Sequence, residues 1–183
     1  MVTARLQEGR RARATLLAGI LLLGSARAET VSQVMTVRAA ITPGCWFGTP
    51  QAPLLSLGTI DFGVVYRLDK EVTTRSSVGA GSVVMTCTPG TTFRVDINDG
   101  GNAGALWWYA GRQVKNAASG KVLRYELYRD SAYSQRWGQS SEGAQFTATG
   151  GSVVLPIYAK LLSTQTAPEP GVYTDDLIVT VYY

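Results

Sequence analysis

No histidine occurs anywhere in the 183 residues. Its absence removes the side chain that most often acts as a general base near neutral pH, and the commonest nitrogen ligand for metals. Only two cysteines are present, Cys45 and Cys87, too few to build a thiolate metal centre alone. No Gly-x-Ser-x-Gly turn marks a nucleophile. Asn98-Asp99-Gly100-Gly101 lacks the spaced acidic ligands of a calcium loop. Asp61, Asp69, Asp96, Asp99, Asp175 and Asp176 show no spacing that would pair two carboxylates for glycoside hydrolysis, and they read as turn and surface residues. Neither enzymatic activity nor a bound cofactor is expected.

Long apolar runs are also missing. Nothing approaches the ~18 consecutive apolar residues of a membrane-spanning helix. The short apolar run from Ala14 to Gly24 follows Arg5, Arg10, Arg11 and Arg13 and precedes Ala26-Arg27-Ala28. That order is a secretory signal, residues 1–28, with cleavage expected after Ala28. The signal holds five of the 17 basic residues and one of the 13 acidic ones, so residues 29–183 carry 12 of each. The basic pI of about 9.2 therefore belongs to the precursor, and no cationic track remains for a nucleic-acid backbone. A neutral surface protects weakly against self-association, which suits a protein that assembles. Residues 29–183 fit one domain. In an oxidising compartment Cys45 and Cys87 are expected to pair. Closing their 42-residue separation would stabilise by about 4 kcal/mol in the chain-entropy model.

Helical periodicity is almost absent, whereas two-residue alternation recurs between Gly- and Pro-marked turns. From Thr30 to Ile41, Val31, Met35, Val37, Ala39 and Ile41 share one face, interrupted only by Gln33. Ser32, Thr36, Arg38, Ala40 and Thr42 share the other, with Val34 as the exception, and Pro43-Gly44 ends the segment. Further strands are predicted at Leu54–Val65 (bent at Gly58), Ser82–Thr88, Phe93–Ile97, Val153–Leu162 and Tyr173–Tyr183. Arg112–Lys115 and Val122–Arg129 flank Ala118-Ser119-Gly120 as a hairpin. In the final strand Leu177, Val179, Val181 and Tyr183 share a face. Short strands with turns and one disulfide predict an all-β, antiparallel, immunoglobulin-like sandwich. With no strand following Tyr183, that sandwich is expected to have an exposed apolar edge or a missing strand. Trp107-Trp108-Tyr109 allows two readings, a sugar-stacking platform or loop packing.

Several motifs, in order, resemble the spore coat protein U family, which includes subunits of archaic (Csu-type) chaperone–usher pili. They are the alternating strand running into Gly44-Cys45, then Ile60-Asp61-Phe62-Gly63, then Ser82 through Thr88 around the second cysteine. Leu123 through Asp130, Trp137-Gly138, and the closing Gln165, Pro170 through Asp175 and Val179 through Tyr183 complete the set. Thr49 through Pro53 and Trp107-Trp108-Tyr109 are individual to this chain. The resemblance implies an incomplete sandwich lacking its last strand (residues 42–183) behind an N-terminal donor strand (residues 29–41). Val31, Met35, Val37, Ala39 and Ile41 would then fill the groove of a sibling subunit. Leu177, Val179, Val181 and Tyr183 would line the acceptor groove, occupied first by a periplasmic chaperone. An outer-membrane usher and a place in a cell-surface fibre serving adhesion or biofilm formation are implied with it. A second reading is a stand-alone coat or carbohydrate-binding module that keeps its first strand in its own sheet. A stable monomer on purification would favour that module.

Overall fold

The computed structural model describes residues 29–104 and 111–183, and the chain divides into two units, Met1–Ala39 and Ala40–Tyr183. The expected signal, residues 1–28, and the triplet Trp107-Trp108-Tyr109 lie outside the described residues. In the first unit, residues 29–39 form no strand and every one is exposed. The strand predicted from Thr30 to Ile41 is therefore not formed within this chain. Alternation supplies a strand's side-chain pattern, but its backbone groups need a partner ladder, and without one they stay with water.

In the second unit twelve strands are found among the described residues: β1 (Cys45–Thr49), β2 (Ala52–Pro53), β3 (Val72–Arg75), β4 (Val83–Cys87), β5 (Thr92–Ile97), β6 (Gln113–Asn116), β7 (Val122–Tyr128), β8 (Ala144–Thr147), β9 (Ser152–Leu155), β10 (Tyr158–Leu161), β11 (Tyr173–Thr174) and β12 (Val179–Tyr182). They form three antiparallel sheets in the orders β2-β1-β4-β9, β11-β6-β7-β10-β3 and β12-β5-β8. The hairpin around Ala118-Ser119-Gly120 is β6–β7, closed by Asn116 Oδ1 accepting from the Ala118 and Ser119 N–H groups. Val83, Met85, Val95, Ile97, Leu127 and Ala159 project into one core with Phe93 and Trp137. Trp137 satisfies its indole N–H on the Val95 carbonyl at 2.9 Å, the partner a buried tryptophan requires.

Three predicted strands are cut differently. Val153–Leu162 is two strands, because Pro156 lacks an N–H and cannot continue a ladder. β9 before it pairs with β4, and β10 after it pairs with β3 and β7, so the chain changes sheets at the proline. Tyr173–Tyr183 likewise divides into β11 on β6 and β12 on β5. Leu54–Val65 forms no strand at all. Gly58 at φ +84° and Gly63 at φ +72° leave the extended region, and the Gly63 N–H folds back onto Asp61 Oδ1 at 2.8 Å. Such an Asx turn competes with strand pairing. Leu57, Ile60, Phe62 and Val65 still pack against the core.

Cys45 and Cys87 are register partners of β1 and β4 and are joined by a disulfide. Peptide mapping of exported protein without reductant is expected to recover the two cysteines as one linked pair. Two free thiols would contradict it.

Candidate functional site

β12 is an edge strand. One side pairs with β5 through Val179↔Ile97 to Tyr182↔Arg94, and the other has no strand partner among the described residues. Leu177, Val179 and Val181 pack inward on the core, while Ile178 is 64% and Tyr182 51% exposed. The Arg94 guanidinium lies 4.5 Å from the centre of the Tyr182 ring. Tyr183, expected on the inward face, falls beyond the last ladder pair and is 66% exposed.

Beside the start of β12 opens a cavity of about 1430 Å³. Its floor is core: Ile97 from β5, Leu127 from β7, Ala159 and Leu161 from β10, with Ile157 just before β10. Its walls are residues 54–69 on one side and 164–179 on the other. Folded interiors are close-packed, with few voids larger than a water molecule. An apolar opening of this size, bounded by an unpaired strand edge and by a segment outside any ladder, has the shape and chemistry of a slot for an extended apolar chain.

One polar side chain, Tyr125, interrupts the apolar floor of the slot, whose walls also carry polar residues such as Asp61, Thr164 and Asp176. Tyr125 lies between Leu123 and Leu127 on the inward face of β7, 4% exposed. Its hydroxyl donates to Asp175 Oδ2 at 2.7 Å. Asp175 Oδ1 accepts from the Asn102 N–H and from Asn102 Nδ2, both at 3.0 Å. Gly100 at φ +87° allows this approach, since a Cβ there would collide with the carboxylate. Burial and the hydrogen bond to Asp175 push the Tyr125 phenol above its ordinary value near 10. A raised folded-state value means the contribution is complete below the unfolded-state pKa and is lost as pH rises past it. Thermal unfolding followed from about pH 8 to 11 is expected to show stability falling above about pH 10, and Tyr125→Phe is expected to remove that part of the loss.

Nearby, Arg112 is buried and donates to the carbonyls of Ile97, Asn98 and Trp137 at 2.8 to 2.9 Å. Burial lowers its pKa. The guanidinium fixes the end of β5, where Ile97 meets the floor of the slot.

Val31, Met35, Val37 and Ile41 are 81 to 88% exposed, and Ala39 is also exposed. Four of those six aspartates have identified partners: Asp61 caps a turn, Asp69 pairs with Arg67, Asp96 is buried against Arg94, and Asp175 holds Tyr125 across 50 residues. Sequence reasoning missed residues 54–69 as a wall of the slot and missed the Tyr125–Asp175 contact. A lone tyrosine on an apolar strand face was the available signal, since a buried phenol needs a hydrogen-bond partner.

An antiparallel all-β domain of this design is found among pilus subunits. The P pilus rod subunit PapA aligns with a TM-score of 0.50 at 16% identity, covering 76% of this chain and 98% of that one. The two share an antiparallel, immunoglobulin-like β fold. The Spore Coat Protein U domain profile matches residues 31–180, and the chain belongs to that family. Protein U of Myxococcus xanthus is 27% identical over 177 residues, covering 92% of this chain and 94% of that protein. The CsuC–CsuE chaperone–tip adhesion subunit pre-assembly complex of Acinetobacter baumannii aligns at 17% identity with a TM-score of 0.48. The match covers 78% of this chain and 40% of that one, so the chain corresponds to about two-fifths of that structure's length.

Proposed function

We propose that this chain is a structural subunit of a secreted surface fibre, joined to its neighbours by donor-strand exchange. The observation that carries this reading is the apolar-floored slot that opens beside the start of β12, a strand with one unpaired edge among the described residues. The alternating apolar face of Thr30–Ile41 supplies a complementary strand, which a second copy or a sibling subunit would lay into the slot. Ladder hydrogen bonds would supply affinity and alternate side chains would enter pockets. Before assembly a periplasmic chaperone fills the slot, and an outer-membrane usher passes the subunit to the surface, where the fibre serves adhesion or biofilm formation. The chaperone–subunit complex among the structural relatives supports the class of partner.

Periplasmic expression with and without a periplasmic pilus chaperone tests the reading. Alone, the protein is expected to aggregate or be degraded; with the chaperone, it is expected to purify as a soluble complex. Removing Val179 to Tyr183 is expected to abolish capture. A cooperatively folding monomer made without any chaperone would overturn the proposal and favour the stand-alone coat or carbohydrate-binding module.

A further inference from the structure

The apolar face of the incoming segment and the apolar floor of the slot each contain one polar exception. On the apolar face of Thr30–Ile41 the exception is Gln33. On the floor of the slot it is Tyr125, set between Leu123 and Leu127 and bonded to Asp175 of the wall. We propose that the two exceptions meet, and that Gln33 of the incoming strand bonds to the Tyr125–Asp175 pair and thereby fixes the register of insertion. This rests on the donor-strand reading and deepens it.

The chemistry matches. A carboxylate offers about four acceptor sites. Asp175 uses two on Oδ1 for Asn102 and one on Oδ2 for Tyr125, which leaves Oδ2 able to accept another donor from the slot. A glutamine amide brings two N–H donors and a carbonyl acceptor. A buried amide without partners is costly, so Gln33 against Leu127 or Ile97 is penalised. Sliding the strand by two residues preserves the face it presents but imposes that penalty, and it sets an apolar side chain against Asp175. The apolar residues of the segment give affinity in several registers; Gln33 selects one. A single polar residue sets register in the same way at the apolar seam of a coiled coil.

The test is the rate of fibre assembly from chaperone-bound full-length subunit. Gln33→Glu sets a carboxylate against Asp175 and is expected to slow assembly about tenfold or more, since facing like charges are strongly disfavoured. Gln33→Lys pairs with Asp175 and is expected to assemble within about threefold of wild type, because an opposite charge in contact is favourable. Gln33→Glu combined with Asp175→Asn is expected to recover most of the lost rate, provided Asp175→Asn still forms its chaperone complex; if it does not, the Lys-against-Glu difference decides alone. Equal, near-normal rates for Gln33→Glu and Gln33→Lys would place residue 33 in solvent, and equal failure would place it in an apolar pocket; either result overturns the inference. Failure of the donor-strand reading is distinguishable, because Val37→Asp would then either assemble normally or lose its chaperone complex, and neither result depends on residue 33.

Discussion

Val37→Asp is expected to lose fibres while keeping a normal amount of chaperone–subunit complex, and Thr36→Asp is expected to assemble close to normally. The two positions are adjacent, and strand geometry sends their side chains to opposite faces. In the slot, Val37 would face Ile97, Leu127, Ala159 or Leu161, none of which offers a counter-charge. Burying an unpaired carboxylate there costs several kcal/mol. A cost of about 4 kcal/mol weakens the contact by about three powers of ten. Thr36 would face solvent, where a carboxylate costs little. The segment carries no strand in its own chain, so neither variant should disturb folding on the chaperone. The measurement is fibre mass by shear and electrophoresis beside periplasmic complex for each variant. Loss of the complex in Val37→Asp would assign the segment to its own domain.

Supplying the missing strand in cis is expected to give a soluble monomer that needs no chaperone. The construction moves residues 29–42 from the front of the domain to a flexible linker after Tyr183. Val31, Met35, Val37 and Ile41, now more than four-fifths exposed, would be buried at roughly 1.5–3 kcal/mol each before the cost of ordering the strand. A net gain of only about 4 kcal/mol corresponds to about 8–16 °C in Tm for a domain of this size. Placing Val37→Asp in the appended copy should remove most of that gain, and Thr36→Asp should not. A Tm unaffected by the appended strand would show that the slot does not receive this segment.

Much of the architecture was legible because it is local. Alternation marked β4 and β5, and alternation with a Gly-containing turn marked the β6–β7 hairpin. The two cysteines, expected to pair on compartment and count alone, stand opposite each other in β1 and β4. What was illegible depends on the third dimension. Leu54–Val65 has a strand's apolar content, but two positive-φ glycines and an Asx turn keep it out of a ladder. Pro156 stood in plain view inside Val153–Leu162, and only the pairing of its two halves with different sheets shows that it is a corner. Strand parity sets Glu126 on the face opposite Tyr125 and Leu127, yet the structure buries it against Arg136 at 3.0 Å. Asp175, read as a turn residue, reaches back 50 positions to Tyr125, a separation that no pattern of short period can reveal.

The position of the disulfide has a mechanical consequence. In a fibre of the proposed kind, each subunit is pulled through the segment that leads into its first strand. Cys45 begins β1, four residues after Ile41, and its sulfur is bonded to Cys87 in β4. β4 is buried along its whole length and flanked by β1 and β9. Tension arriving at Cys45 therefore passes covalently into the most buried strand of its sheet instead of peeling β1 away bond by bond. Forced unfolding of a subunit is governed by its unfolding rate. Here a cross-link at the point of entry means that unravelling a subunit from that end requires β4 to be drawn out from between β1 and β9.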